Sequence, residues 1–163
     1  MKLTLKHTFA AIILMLSLAS PVAAGPFEDA VMAYGRGDYA TAMQLFRPLA
    51  DQGNAIAQFN LGVMYQDGKG VPQDYVEAIK WYRRAADQGG AGAQFNLGGM
   101  YFNGQGVPRD PVQAYMWISL SAAQGVGGAE RNRDNIGRTL TPAQLAEAQQ
   151  LAREWKPTPQ SPR

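Results

Sequence analysis

The hexapeptide Ala57-Gln58-Phe59-Asn60-Leu61-Gly62 returns 36 residues later as Ala93-Gln94-Phe95-Asn96-Leu97-Gly98. The same shift carries Met64-Tyr65 to Met100-Tyr101 and Gly68-Lys69-Gly70-Val71-Pro72 to Gly104-Gln105-Gly106-Val107-Pro108. It also carries Asp74 to Asp110, Ala78 to Ala114, Trp81 to Trp117 and Gly89 to Gly125. A chain that repeats itself at such a period builds one supersecondary unit several times and buries its core between neighbouring copies. Weaker copies flank these two. Asp38, Tyr39, Ala42, Ala50 and Gly53 precede Asp74, Tyr75, Ala78, Ala86 and Gly89 by the same interval, and Ala129 and Asn132 follow Ala93 and Asn96. Terminal copies diverge because one of their faces meets water instead of a neighbour.

Each unit reads as two helices. Ala57, Leu61, Met64 and Tyr65 share one helical face, which predicts helix A over about Ala55 to Gln66. Gly68 and Gly70 end it, because glycine accepts the left-handed conformation of helix exits. Asp74 is an N-cap with Glu77 three residues on, and Ala78, Trp81, Tyr82, Ala85 and Ala86 form the buried stripe of helix B. Asp110, Pro111 and Gln113 repeat this start. Gly62 and Gly98 disfavour a helix, so close approach of a neighbouring helix is their expected compensation. Thr141 and Gln144 open a further helix whose apolar positions are Leu145, Ala148, Ala152 and Trp155, read as a cap on the open end of the stack. The fold expected is all-α, a solenoid of about eight helices in stacked antiparallel pairs. Its units are 27–53, 54–89 and 90–125, with capping helices over 126–155. Pro157, Pro159 and Pro162 mark 156–163 as a disordered tail.

The first 24 residues read differently. Lys2 and Lys6 precede the apolar run Phe9 to Leu18, and Pro21-Val22-Ala23-Ala24 supplies small residues at a cleavage position. This is the pattern of a secretory signal peptide over 1–24, with a run short for a bilayer span. The expected location is therefore the periplasm or beyond it, with no membrane anchor once the leader is removed. Removal takes Lys2, Lys6 and the sole histidine, His7. The 15 Lys and Arg fall to 13, against 13 Asp and Glu. A balanced chain lacks the clustered positive charge that phosphate backbones require, so nucleic acid is not an expected partner. Without imidazole or any Cys, Ser-His-Asp triads, thiol nucleophiles, disulfides and Cys or His metal sites are excluded, and no cofactor or metal is expected.

The Leu-Gly-x-Met-Tyr of Leu61–Tyr65, the Gly-x-Gly-Val of Gly68–Val71, Asp74, Ala78 and Trp81-Tyr82-x-x-Ala85-Ala86 resemble the Sel1-like repeat family, a branch of the tetratricopeptide-like helical repeats. The second copy departs from the pattern at Ile118 and Ser121, which replace Tyr82 and Ala85. The first unit is closer to the tetratricopeptide form, with Gly37-Asp38-Tyr39 as its turn. The resemblance implies an α-solenoid that binds other proteins and carries no shared catalytic motif, hence a non-enzyme and an adaptor for a protein or peptide; a monomer is expected, although the ends of a solenoid can also pair. It also implies a site. Asn60 and Asn96, with Asn132 continuing the row, would lie on the concave helix-A face and meet peptide backbone. Phe59, Val63, Phe95 and Phe102, with Ile56 and Gly99, would line the same groove.

Each of these residues has a plainer reading. Asparagine amides also bond to neighbouring helix backbone, and the aromatics also pack a core. Gly68-Lys69-Gly70 fails as a phosphate loop on spacing, and its copy has Gln105 in place of Lys69. Asp38, Asp74 and Asp110 are helix caps in register, which leaves no carboxylate pair singled out for glycoside hydrolysis. Lys80, Arg83 and Arg84 read as a solvated outer face. A structural envelope protein bound to peptidoglycan and a secreted factor acting on host proteins remain as alternatives to the adaptor.

Overall fold

The computed structural model describes residues 25–158. The leader over 1–24 and the last five residues of the expected tail lie outside the described residues. The described chain is eight helices in order: α1 (Pro26–Gly35), α2 (Tyr39–Asp51), α3 (Ala55–Asp67), α4 (Tyr75–Asp87), α5 (Ala91–Asn103), α6 (Pro111–Ala123), α7 (Ala129–Gly137) and α8 (Pro142–Glu154). Consecutive helices pack on one another from α1 through α7, and α8 folds back onto α6. The A helices of the units are α1, α3, α5 and α7; α2, α4 and α6 are the B helices.

The caps define where the helices begin. The carboxylate of Asp74 accepts from the backbone N–H groups of Val76 (2.9 Å) and Glu77 (3.0 Å), and that of Asp110 from Gln113 (3.0 Å). Asn54 caps α3 through the Ala57 N–H at 2.9 Å, but its register partner before α5 is Gly90, which has no side chain to cap with. Thr141 and Gln144 form a complete capping box at the start of α8. These contacts satisfy N–H groups that the first turn of a helix leaves without partners.

The repeated Gly-x-Gly turn holds the stack together. Gly70 has φ +73°, and a Cβ there would lie 2.6 Å from the carbonyl oxygen of Tyr39, at the start of the preceding B helix. Gly106 repeats this against the Tyr75 carbonyl at 2.5 Å. Positive φ and contact with a neighbouring backbone together require glycine at both turns.

Within each pair, small residues admit large ones. Tyr82 lies over Gly62 and Ile118 over Gly98, so close that a Cβ at either glycine would overlap them. The core forms three sections along the stack, with Tyr65 packed against the first two and Tyr101 against the last two. Phe46, Leu61 and Met64 fill the first section, Tyr82, Leu97 and Trp117 the second, and Ile118 and Ile136 the last. Buried glutamines join the units. Gln58 donates to the Ala50 carbonyl (2.9 Å) and accepts from Gln88 (2.7 Å). Gln94 repeats this with the Ala86 carbonyl (3.2 Å) and Gln124 (2.8 Å).

Two expectations change. Arg83 and Arg84 do not form a solvated face with Lys80. Arg84 stacks on Trp81 with its guanidinium carbon 4.5 Å from the ring centroid, and Arg83 stacks on Trp117 at 4.9 Å and bonds the Tyr101 hydroxyl. Arg47, Tyr65 and Trp81 form the same bracket one unit earlier, with Arg47 donating to the Tyr65 hydroxyl at 2.5 Å. The aliphatic stem of arginine covers the indole while its charge stays near solvent. The start of the tail is also docked. Trp155 meets Trp117 edge-on at 6.1 Å, and the Thr158 N–H donates to the Asp87 carbonyl at 2.7 Å.

Candidate functional site

The side chains expected to bind a partner fall on the A helices α3, α5 and α7. In α3, Ala57, Gln58, Leu61, Gly62 and Met64 are buried. Ile56, Phe59, Asn60 and Val63 occupy the opposite arc at helical spacing. Ile56 is 59% exposed, while Phe59, Asn60 and Val63 are half-buried. Phe59 spans two units. It packs on Tyr82 with ring centroids 5.8 Å apart and comes within contact of Gly92 at the start of α5. It is therefore both part of the core edge and part of the exposed face.

The asparagine row does not repeat its contacts. The Asn60 amide donates to the Ile56 carbonyl of its own helix at 2.8 Å. Asn96 makes no such bond to its own helix and lies near the Tyr82 hydroxyl, which donates to Gln66 Oε1 at 2.8 Å. Burial pushes the Tyr82 hydroxyl well above its usual pKa, with the Asn96 amide opposing that shift. The difference between the two units has a simple origin, because the residue 36 before Tyr82 is Phe46, which has no hydroxyl to offer Asn60. Asn132 is exposed.

The structure brings the later residues of the set together. Gly99 and Phe102 of α5 and Asn132 of α7, with Asn103, Ile118, Asn135 and Ile136, line a cleft of about 270 Å³. Phe95 packs against the last section of the core and is not among the residues that line the cleft. Asn60, Phe59 and Val63 lie one unit earlier, outside this cleft. Arg109 stacks on Phe102 at 5.0 Å and donates to its backbone carbonyl at 2.9 Å. Asn135 also belongs to an adjoining polar cleft of about 460 Å³ with Gly128, Glu130, Arg131, Asp134 and Arg138. Reading the residues alone missed Arg109, Arg131, Asn135 and Arg138. The signal was available for three of them. Arg131, Asn135 and Arg138 stand 36 after Phe95, Gly99 and Phe102.

The surface offers apolar contact area and amide hydrogen-bonding groups, with charged side chains lining its last cleft. Among the described residues no three His, Cys, Asp or Glu side chains gather as a metal site would require, and no helix is long and apolar enough to cross a membrane. Stacked helix pairs with an exposed ridge of apolar and amide side chains define an α-solenoid of the interaction-repeat class.

The chain belongs to the Sel1 repeat family, whose repeat matches residues 30–54, 55–90 and 91–126. No curated protein matches it. Among solved structures it is similar to a protective antigen present in uropathogenic Escherichia coli strains that displays an SLR fold, with 34% identity and a TM-score of 0.76 over 80% of this chain. A Sel1 repeat protein from Oxalobacter formigenes is also similar, with 32% identity and a TM-score of 0.65 over 78% of this chain. The chain spans 29% and 54% of the lengths of these two proteins. Sel1 repeat proteins generally mediate protein–protein interaction, and the fold is typically a non-enzymatic scaffold.

Proposed function

We propose that this chain is an exported, monomeric adaptor that holds an extended segment of a protein partner across its helix-A face. The observation that carries this is the row of incompletely buried apolar side chains, Ile56, Phe59, Val63, Phe95 and Phe102, on successive A helices. The row runs into a cleft edged by the amides of Asn132 and Asn135. Apolar rings give contact area at low entropic cost, and amides match both the donors and acceptors of a peptide backbone. Asn60 donates one bond within its own helix, yet it and Asn96 each keep hydrogen-bonding capacity for such a backbone.

The test is co-purification from envelope extract with wild-type protein and with an Ile56→Glu/Phe102→Glu variant of equal helicity. A partner held by the wild type and lost in the variant supports the face. A partner kept by both places binding elsewhere. The protective antigen of E. coli gives weight to a second reading, a host-facing protein outside the cell. Detection in cell-free medium favours that reading, and release with the periplasmic fraction alone rejects it.

A further inference from the structure

The helix-A face changes electrical character along the stack. A shift of 31 aligns Ala30, Ala33 and Tyr34 of α1 with Leu61, Met64 and Tyr65 of α3, and Ala30, Ala33, Leu61 and Met64 are all buried. At this shift Glu28, Asp29 and Met32 take the places of Phe59, Asn60 and Val63. Glu28 and Asp29 are exposed, and Met32 is 46% exposed. The first step of the face is therefore acidic with one apolar contact.

The next step is neutral. Ile56, Phe59, Asn60, Val63 and Gln66 carry no charge, and Gln73 donates to the Gln66 carbonyl at 2.8 Å. One unit on, the register partners of Gln66 and Gln73 are Phe102 and Arg109, which stack on each other. The last step, on α7 and its C-cap, presents Arg131, Asn135 and Arg138. Among the described residues Arg131 and Arg138 make no ion pair within 4 Å, and Arg138 donates to the Asn135 amide oxygen at 3.4 Å. Glu130 and Asp134 also edge that cleft. They stand where α3 has the buried Gln58 and Gly62, on the flank that faces a B helix in the inner units. Asp134 is already neutralised by Arg133 at 2.8 Å. Elsewhere beside the face, Asp67 is paired with Lys69 at 3.1 Å and Arg36 lies beside Asp38.

We infer that this acidic-to-apolar-to-basic order selects and orients the partner. The occupant is an extended peptide with an aromatic or aliphatic centre, a Lys or Arg at the end that lies over Glu28 and Asp29, and an Asp or Glu at the end that lies over Arg131 and Arg138. This rests on the helix-A reading proposed above. Successive A helices are joined through the B helix packed on both; with each step between them taken as about one helix spacing of 8–10 Å, the three steps from α1 to α7 cover roughly 30 Å. An extended chain covers that in about nine residues. The basic and acidic residues of the partner are thus expected about eight positions apart. Charge complementarity at the ends of an apolar groove sets register and rejects wrong partners more than it adds affinity.

The experiment is selection of a displayed library of random dodecapeptides on the purified protein, repeated on Glu28→Gln/Asp29→Asn and on Arg131→Gln/Arg138→Gln. The expected enrichment is a basic and an acidic residue about eight apart around an apolar centre. The first variant should lose only the basic preference, and the second only the acidic one. For one enriched peptide each variant should weaken binding about fivefold, within what an exposed ion pair supplies, and high salt should erase the difference. Enrichment without paired charges, or unmoved by either variant, overturns this inference and leaves an apolar face standing. An empty selection, or one unaffected by Ile56→Glu/Phe102→Glu, overturns the helix-A reading itself. Sedimentation as a dimer that Ile56→Glu dissociates would make a second copy the occupant, and would overturn the peptide.

Discussion

A Cβ added at Gly98 would sit 2.6 Å from Cγ1 of Ile118 and 3.1 Å from the Ala114 carbonyl oxygen, whereas one added at Gly99 meets nothing within 4 Å. Both lie inside α5, where Ala exceeds Gly in helix propensity by about 1 kcal/mol. At Gly99 that gain is unopposed, so Gly99→Ala should stabilise the protein by about 0.5–1 kcal/mol. At Gly98 the methyl must push α6 away, and overpacking of a full core costs about 1–3 kcal/mol. Gly98→Ala should therefore destabilise despite the same propensity gain. Urea unfolding followed by helical circular dichroism separates the two; equal effects of one sign would refute the close contact between α5 and α6. The buried amides make a second residue-scale case. Gln94→Ala removes the bonds to the Ala86 carbonyl and to Gln124, and should cost about 1–3 kcal/mol by the same measurement. A near-neutral result would mean that these amides do not couple the units.

At the scale of the element, helix ends decide both stability and legibility. Asp87 closes α4, where a negative charge opposes the helix dipole. Its carboxyl pKa is raised, chiefly by burial, with Arg83 partly offsetting the shift. A raised folded-state pKa means that the folded chain binds the proton more tightly than the unfolded one. This site therefore favours folding more as pH falls through the folded value towards 3.8, and less once pH rises above it. Asp87→Asn should stabilise the protein at neutral pH, and the advantage should shrink as pH falls through the raised folded value and be lost below 3.8. An advantage that grows on acidification would reverse the sign argued here. The caps Asp74, Asp110 and Thr141 were legible in the sequence because a cap is a local pattern of residue type and spacing. The buried stripe Ala78, Trp81, Tyr82, Ala85 and Ala86 was legible because periodicity maps directly to a face. The docking of Arg83 and Arg84 on the tryptophans was not. A charged side chain with a long apolar stem reads as surface until the neighbouring unit that it covers is in place.

Over the whole molecule, the period of 36 made the stacking legible, and it placed the expected binding residues on the A helices. The individual contacts of that face depend on neighbours from adjacent units. The Asn60 and Asn96 positions look identical in sequence, yet Asn60 bonds the Ile56 carbonyl of its own helix while Asn96 lies near the Tyr82 hydroxyl, a group that the preceding unit lacks because Phe46 stands 36 residues before Tyr82. The end of the stack was the least legible part, because a terminal unit no longer carries the repeated consensus. There α8 closes the molecule by laying Trp155 on Trp117, which is only 1% exposed, and Thr158 pins the following segment to the end of α4. Helix-repeat stability is approximately a sum of units and nearest-neighbour interfaces, so loss of this clasp should act locally before it acts globally. Trp155→Ala should lower stability by about 1–3 kcal/mol, less than removal of a fully buried tryptophan, because Trp155 is only half-buried. Native-state hydrogen exchange should show faster opening of α8 and of the Thr158 amide, with α1 to α3 unchanged. Uniform acceleration across all helices would mean that the stack unfolds as one cooperative block, and that α8 is as much part of its core as α4.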